Sequence, residues 1–229
     1  MQIIPGVHQL TIRGLNTFAI LEEEITLIDT GLRGNAPAIA AAISKLGHSV
    51  DEVSLIIITH NHIDHIGGLD GLRKLTSAKV AVHSDDLNFK KKGLPYHGWL
   101  KALMQAPFMP VLWPSMYITE KDVDIVLRGG EVLKPLGGLE VIHTPGHTPG
   151  GICLYSAAKK IVFAGDTINH RARSFSLAPP LVNSDNAQLK QSVKRLAQLD
   201  FDILCYGHGK LLKGNASAML KDWVERKGL

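Results

Sequence analysis

The chain has 229 residues, 45% hydrophobic and 20% charged, with a net charge of +4: enough for one sizeable core, and not the make-up of a disordered, collagenous or disulfide-rich chain. Its lysines and arginines are scattered apart from Lys90, Lys91 and Lys92, so the mild basicity does not indicate a nucleic-acid partner. No apolar run reaches membrane-spanning length, MQIIPGVHQL at the start lacks a basic stretch followed by an apolar one, and Cys153 and Cys205 show no CxxC spacing, so a cytoplasmic protein without a signal peptide and with two buried thiols is expected.

Residues 7–12, 17–21 and 25–28 are short β-type runs, broken by Gly6, by Gly14-Leu15-Asn16 and by Glu22-Glu23-Glu24, and they predict a meander. Asp29-Thr30-Gly31 closes the third run in a tight loop, and Asn35 is placed as the N-cap of an Ala-rich helix over 36–46. Residues 53–58 are apolar throughout, as in a strand covered on both faces; a short helix over 68–75 and a strand over 79–82 follow. Residues 84–120 break the rhythm. Pro95, Pro107, Pro110 and Pro114 exclude a long helix there, while Trp99, Met104, Phe108, Met109, Trp113 and Met116 are too apolar for a freely solvated loop. This stretch is read as a lid-like insertion at about 84–120, lining an apolar substrate pocket, with packing on the core or a dimer contact as the alternatives.

Strands are predicted again at 124–127, 131–133, 139–143, 152–155 and 161–164, with a Pro- and Gly-rich loop at 144–151. Residues 169–180 read as a basic loop, Ser184 or Asp185 as the cap of a helix running to 199, 201–206 as a last strand and 215–227 as a final helix. Strands in two batches, each followed by helices, predict an α/β (α+β) fold: a four-layer αββα sandwich of two mixed sheets face to face with helices outside, as a single domain over 1–229.

The chain is organised around residues 59–68, THNHIDHIGG, which place His60, His62, Asp64 and His65 directly after the apolar run 55–58. Imidazole nitrogens and carboxylate oxygens are the ligands that borderline divalent metals take. Gly67 and Gly68 allow a sharp turn close to whatever the cluster binds. There are eleven histidines, and His60, His62, His65, His147 and His208 all fall in turns that follow apolar strands.

Taken in order, DTG at 29–31, THNHIDHIGG, HTPGHTPGG at 143–151, FAGDT at 163–167 and YGHG at 206–209 resemble the motif set of the metallo-β-lactamase-fold hydrolases. The resemblance implies that His60, His62 and His147 hold one divalent ion, that Asp64, His65 and His208 hold a second, and that Asp166 bridges both. Two such ions share a hydroxide that attacks at neutral pH and stabilise the oxyanion that develops, and Asp64 is also assigned to proton handling. Zinc is the first expectation, with Fe and Mn suiting the same all-N/O ligands. His143 is read as a strand-end residue beside the site rather than a ligand, and Asp29 either as a turn residue or as the acceptor for a ligand histidine.

An Asp at 166 departs from the β-lactamases that place Cys there and resembles instead the glyoxalase II and lactonase branch. Glyoxalase II adds a C-terminal helical domain not seen here, which argues against a glutathione substrate, and acyl-homoserine lactonases place Tyr where this chain has Asn169. The expected activity is hydrolysis of a small-molecule ester, thioester or lactone. The alternatives are a mononuclear iron dioxygenase of the persulfide dioxygenase type, a β-lactamase-like amide hydrolase and, last, a non-enzymatic binding protein. Trp99, Trp113, Asn169, His170 and Arg171 are the candidate substrate residues, with Arg173 beside them, and a homodimer is a candidate assembly.

Overall fold

A computed structural model describes residues 1–87, 118–171 and 174–229. The expected insertion, with Trp99 and Trp113, lies for the most part outside the described residues, as does Arg173. The chain forms two compact units. The first comprises described residues 1–87 and 118–127, and the second the remainder from Arg128 onward.

In the first unit, β1 (Gln2–Ile4), β2 (Val7–Ile12), β3 (Leu15–Leu21), β4 (Ile25–Ile28), β5 (Val53–Ile57), β6 (Lys79–His83) and β7 (Ile125–Leu127) lie side by side in chain order in one mixed sheet. The first four pair antiparallel through tight turns, and β4 to β7 pair in parallel. The parallel part needs crossover connections. Helix α1 (Ala36–Ser44) supplies the one between β4 and β5, burying Ala36, Ile39 and Ile43 at helical spacing against Leu27, Ile56 and Val80.

Asn35 does precede α1, but its side chain makes no cap hydrogen bond. Pro37 in the first turn has a preset φ and no N–H to satisfy, so the helix starts without one. A short helix not expected from the sequence, α2 (Ile63–Ile66), precedes α3 (Leu69–Leu72), which lies within the helix expected over 68–75 and is shorter than it. Between them, a Cβ on Gly68 would stand 2.3 Å from the Thr30 carbonyl oxygen. Both glycines therefore serve close backbone approaches, Gly68 to the Asp29-Thr30-Gly31 turn and Gly67 to Leu32 and Arg33 just beyond it.

The second unit is built on β8 (Val132–Leu133), β9 (Leu139–His143), β10 (Ile152–Ser156), β11 (Ile161–Phe163), a hairpin of β12 (Asn169–Arg171) and β13 (Ser174–Ser176), then β14 (Ile203–Cys205) and β15 (Leu212–Lys213). Its mixed sheet runs β15-β14-β11-β10-β9-β8, with β11 and β14 parallel and the other pairs antiparallel. The β12–β13 hairpin replaces the loop expected over 169–180: His170 faces Phe175 across the pair, and burial of Phe175 gives the short ladder an apolar anchor.

Helix α4 (Asn186–Leu196) is capped by Asp185, whose carboxylate accepts from the Ala187 and Gln188 N–H groups, a cap worth about 1 kcal/mol. It buries Leu189, Val193 and Leu196, and α5 (Ala216–Arg226) buries Leu220, Trp223 and Val224, in one core with Phe201 and Tyr206. Cys153 on β10 and Cys205 on β14 are buried free thiols, as expected. Burial pushes both above the ordinary thiol range; hydrogen bonds with Thr144 and Thr167 pull the Cys153 value partly back. Among the described residues, no helix is long and apolar enough to cross a membrane.

Candidate metal centre

Each unit carries part of the ligand-type set. In the first, β5 runs out at Ile57, and Thr59 and His60 follow at its C-terminal end, where the ladder no longer constrains the chain and side chains can converge. His60, His62 and His65 are buried, and Asp64 is 30% exposed. The His60 ring centroid lies 4.8 Å from that of His62 and 3.9 Å from that of His65. Asp64 Oδ2 stands 3.9 Å from His65 Nε2.

A single buried carboxylate orders this group. Asp29 Oδ1 accepts from the Thr59 N–H, and its Oδ2 accepts from Thr59 Oγ1 and from His65 Nδ1, all at 2.8 Å. The Thr59 hydroxyl has one proton, which goes to Asp29. Its 3.0 Å contact with His60 Nδ1 must then be a bond that it accepts. Both His60 and His65 are thereby protonated at Nδ1, and their Nε2 lone pairs are the ones available to a ligand.

Thr30 completes the hold on His65: its N–H and its hydroxyl both donate to the His65 carbonyl, at 2.7 and 2.8 Å. Asp29 adopts a left-handed φ of 60°, which an aspartate tolerates better than most side chains. Of the two readings of Asp29, the acceptor for a ligand-type histidine is the one the structure contains.

In the second unit, His147 Nε2 stands 3.9 Å and His208 Nε2 3.1 Å from Asp166 Oδ2. His147 sits in the loop at 144–151, whose backbone is fastened to the segment leading into α4. The Ser184 N–H donates to the His147 carbonyl, and the Asp185 N–H and the Ser184 hydroxyl donate to the Gly146 carbonyl. Asn183 Oδ1 accepts from His147 Nδ1 at 2.8 Å, while its amide nitrogen donates to the Ala178 carbonyl and to Asn186 Oδ1. The Nδ1-protonated form, with Nε2 as the donor atom, is thus set for His147 as well. Nothing local in the sequence marks Asn183 for this task, since it lies 36 residues along the chain from its partner.

His143, the other histidine of HTPGHTPGG, donates from Nε2 to the Pro149 carbonyl at 2.9 Å and so braces the loop that carries His147. The loop is tightly packed from behind: a Cβ on Gly146, whose φ is +131°, would meet Leu189 N at 2.2 Å.

Among the candidate substrate residues, Asn169 is buried, and the His170 ring stacks on Tyr206 at 6.3 Å and meets Phe175 edge-on at 5.1 Å. Arg171 pairs in the hairpin with Ser174. Beside His170 opens a cavity of about 140 Å³ lined by Phe175, Met219 and Trp223, with the Asp222–Arg226 ion pair among its lining residues. Burial pushes the Tyr206 phenol far above its ordinary value, so it stays neutral next to Gly207 and His208.

The donor set therefore fits a divalent cation of the zinc, iron or manganese kind: imidazoles, three of which (His60, His65 and His147) have Nδ1 held by an oxygen atom, together with carboxylates.

Comparison with known proteins agrees with this chemistry. The chain is 27% identical over 227 residues to the probable metallo-hydrolase YflN of Bacillus subtilis, covering 91% of this chain and 86% of that one. It is 27% identical over 191 residues to the hydroxyacylglutathione hydrolase GloC of Haemophilus influenzae, covering 82% and 81%. A crystal structure of a metallo-beta-lactamase family protein from Thermus thermophilus superposes with a TM-score of 0.75 at 21% identity, covering 99% of this chain and 81% of that one, and it shows the fold to be the α/β sandwich of that family. The family model described as the metallo-beta-lactamase superfamily matches residues 11–208, and the chain belongs to that superfamily.

Proposed function

We propose that this protein is a divalent-metal-dependent hydrolase of esters, thioesters or lactones. In this reading His60, His62 and His147 hold one ion, Asp64, His65 and His208 a second, and Asp166 contacts both. The observation that carries it is the tautomer pattern. His60, His65 and His147 all present Nε2 because Thr59, Asp29 and Asn183 engage Nδ1, the arrangement in which metal-ligating histidines are held, with the other ring N–H given to an oxygen acceptor. When bound, such ions activate water at neutral pH and polarise the carbonyl that it attacks.

The remaining work falls to the chain. Asp29 and Asn183 hold the ligand rings in orientation. Asp64, 30% exposed, takes and returns a proton at Oδ2. His170, Asn169 and the cavity by Trp223 supply a polar and an apolar contact for the acyl or leaving group. The Haemophilus influenzae hydroxyacylglutathione hydrolase is matched over 81% of its own length, which keeps thioesters within the substrate class. Two free, buried thiols suit the cytoplasm as the place of action.

The test is a panel assay on protein stripped of metal and reloaded with Zn, Fe or Mn. The panel spans a glutathione thioester, an aryl ester, an acyl-homoserine lactone and a β-lactam. Metal-dependent release of a carboxylic acid from one of the first three is expected. A protein that carries two ions and turns over none of them, or that binds one iron and consumes oxygen with a persulfide, would overturn the proposal.

A further inference from the structure

Between the two histidines that open the central motif stands Asn61, a residue that no ligand assignment uses. It is the middle residue of a three-residue turn: the His62 N–H donates to the His60 carbonyl at 3.0 Å. The conformation of that residue sets how His60 and His62 face each other. Their rings meet nearly at right angles, 80° between planes.

Asn61 is fully buried, and its polar groups are engaged with two stretches far away in the chain. Its backbone N–H donates to Asp86 Oδ2 at 2.8 Å, and its side-chain amide donates to the Asp86 carbonyl at 2.7 Å and to the Ile118 carbonyl at 3.2 Å. Its Oδ1 accepts from the Ile118 N–H at 3.0 Å. Asp86 and Ile118 stand on the two sides of residues 88–117. A carboxamide is the only short side chain that offers two donors and an acceptor at once. An aspartate there would turn an oxygen toward two carbonyls, and an alanine would leave buried backbone groups unmatched.

We infer that Asn61 is a positioning residue: by clasping the chain on both sides of residues 88–117, it holds the His60–His62 turn in the shape that receives a metal ion. The inference rests on the metal-hydrolase reading. It adds that the affinity of the ion held by His60 and His62 depends on a side chain that never touches it.

Zinc affinity of the full-length protein, measured by competition with a chromogenic chelator, tests this alongside urea unfolding of the apo form. Asn61→Ala and Asn61→Asp are expected to weaken one of two zinc equivalents by about 10–100-fold and to leave the other near its wild-type value. Thr119→Ala is the control. It breaks a hydrogen bond to Asp122 close to Ile118 without touching Asn61, and is expected to lower stability with both zinc affinities unchanged. If Asn61→Ala does not fold, Asp86→Ala, which removes the carboxylate that receives the Asn61 N–H, is expected to weaken the same equivalent. Folded Asn61 variants that lose stability yet bind both equivalents as wild type does would overturn the inference and leave the hydrolase reading standing. A wild type that binds no zinc, iron or manganese would overturn both.

Discussion

Replacing Asp29 by Asn tests the network around the ligand-type histidines with the least change of shape. Asparagine accepts the left-handed φ of 60° as readily as aspartate does, so backbone strain does not confuse the result. The change converts one carboxylate oxygen into a donor, and neither orientation of the amide suits the site. With its oxygen in the Oδ2 place, the NH2 group faces the Thr59 N–H, a clash of buried donors costing about 1–3 kcal/mol. With its oxygen in the Oδ1 place, the NH2 group faces Thr59 Oγ1 and His65 Nδ1. Thr59 must then reverse and point its proton at His60 Nδ1, and His65 must move its own proton to Nε2. Both histidines would lose the lone pair that a metal needs.

Whichever orientation wins, unfolding in urea should show a loss of about 1–3 kcal/mol for the apo protein. Zinc titration by calorimetry should show affinity lowered by about 10–100-fold, or about 1.4–2.7 kcal/mol. Because His65 and His60 are assigned to different ions, both equivalents should weaken in the second orientation. An Asp29→Asn protein with wild-type stability and two wild-type zinc equivalents would refute the tautomer argument.

Other expectations follow from the same geometry. Asp166→Ala should abolish turnover, whereas His143→Ala should retain bound metal and lose only the stability of the Pro149 bond, about 1 kcal/mol in urea; equal losses of activity at matched metal content would show the wrong histidine chosen. Gly146→Ala should destabilise by more than about 2 kcal/mol, because the new Cβ meets Leu189 N at 2.2 Å and φ is +131°; an unchanged urea midpoint would contradict the packing. Chelation should lower the thermal midpoint, and zinc at one hundred times its dissociation constant should restore about 2.7 kcal/mol; coincident melting curves with and without chelator would speak against a metal bound by the native state.

What was legible in the sequence depended on how far apart the cooperating residues lie. The strand ends before Thr59, Thr144 and Gly207 were readable because apolar runs stop at turn residues there, and the Asp185 cap because its partners Ala187 and Gln188 are next to it. The close approach of Gly68 to Thr30, the Asn183 hold on His147 and the clasp of Asn61 on Asp86 and Ile118 were not readable. Each joins residues 25 or more positions apart, which neither periodicity nor propensity records. The β12–β13 hairpin was missed because its strands are three residues long and polar, with the buried Phe175 as their main apolar anchor. Helix α2 was missed because its four residues, Ile63–Ile66, fall inside the ligand-type motif and are too few to show a helical period.

The placement of the two cysteines gives the molecule an internal clock for half of itself. Both thiols belong to the second unit, on strands β10 and β14 that flank β11 in one sheet, and the chain has no other. Neither reacts while its strand is closed, so the rate of alkylation in native buffer counts how often that sheet opens and nothing else. The first unit is silent to such reagents. Comparing alkylation with and without zinc therefore tests whether metal restrains the second sheet through the proposed ligands His147, Asp166 and His208, while urea unfolding followed by an optical probe of the whole chain reads both. A difference between the two free energies would measure how independently the units come apart.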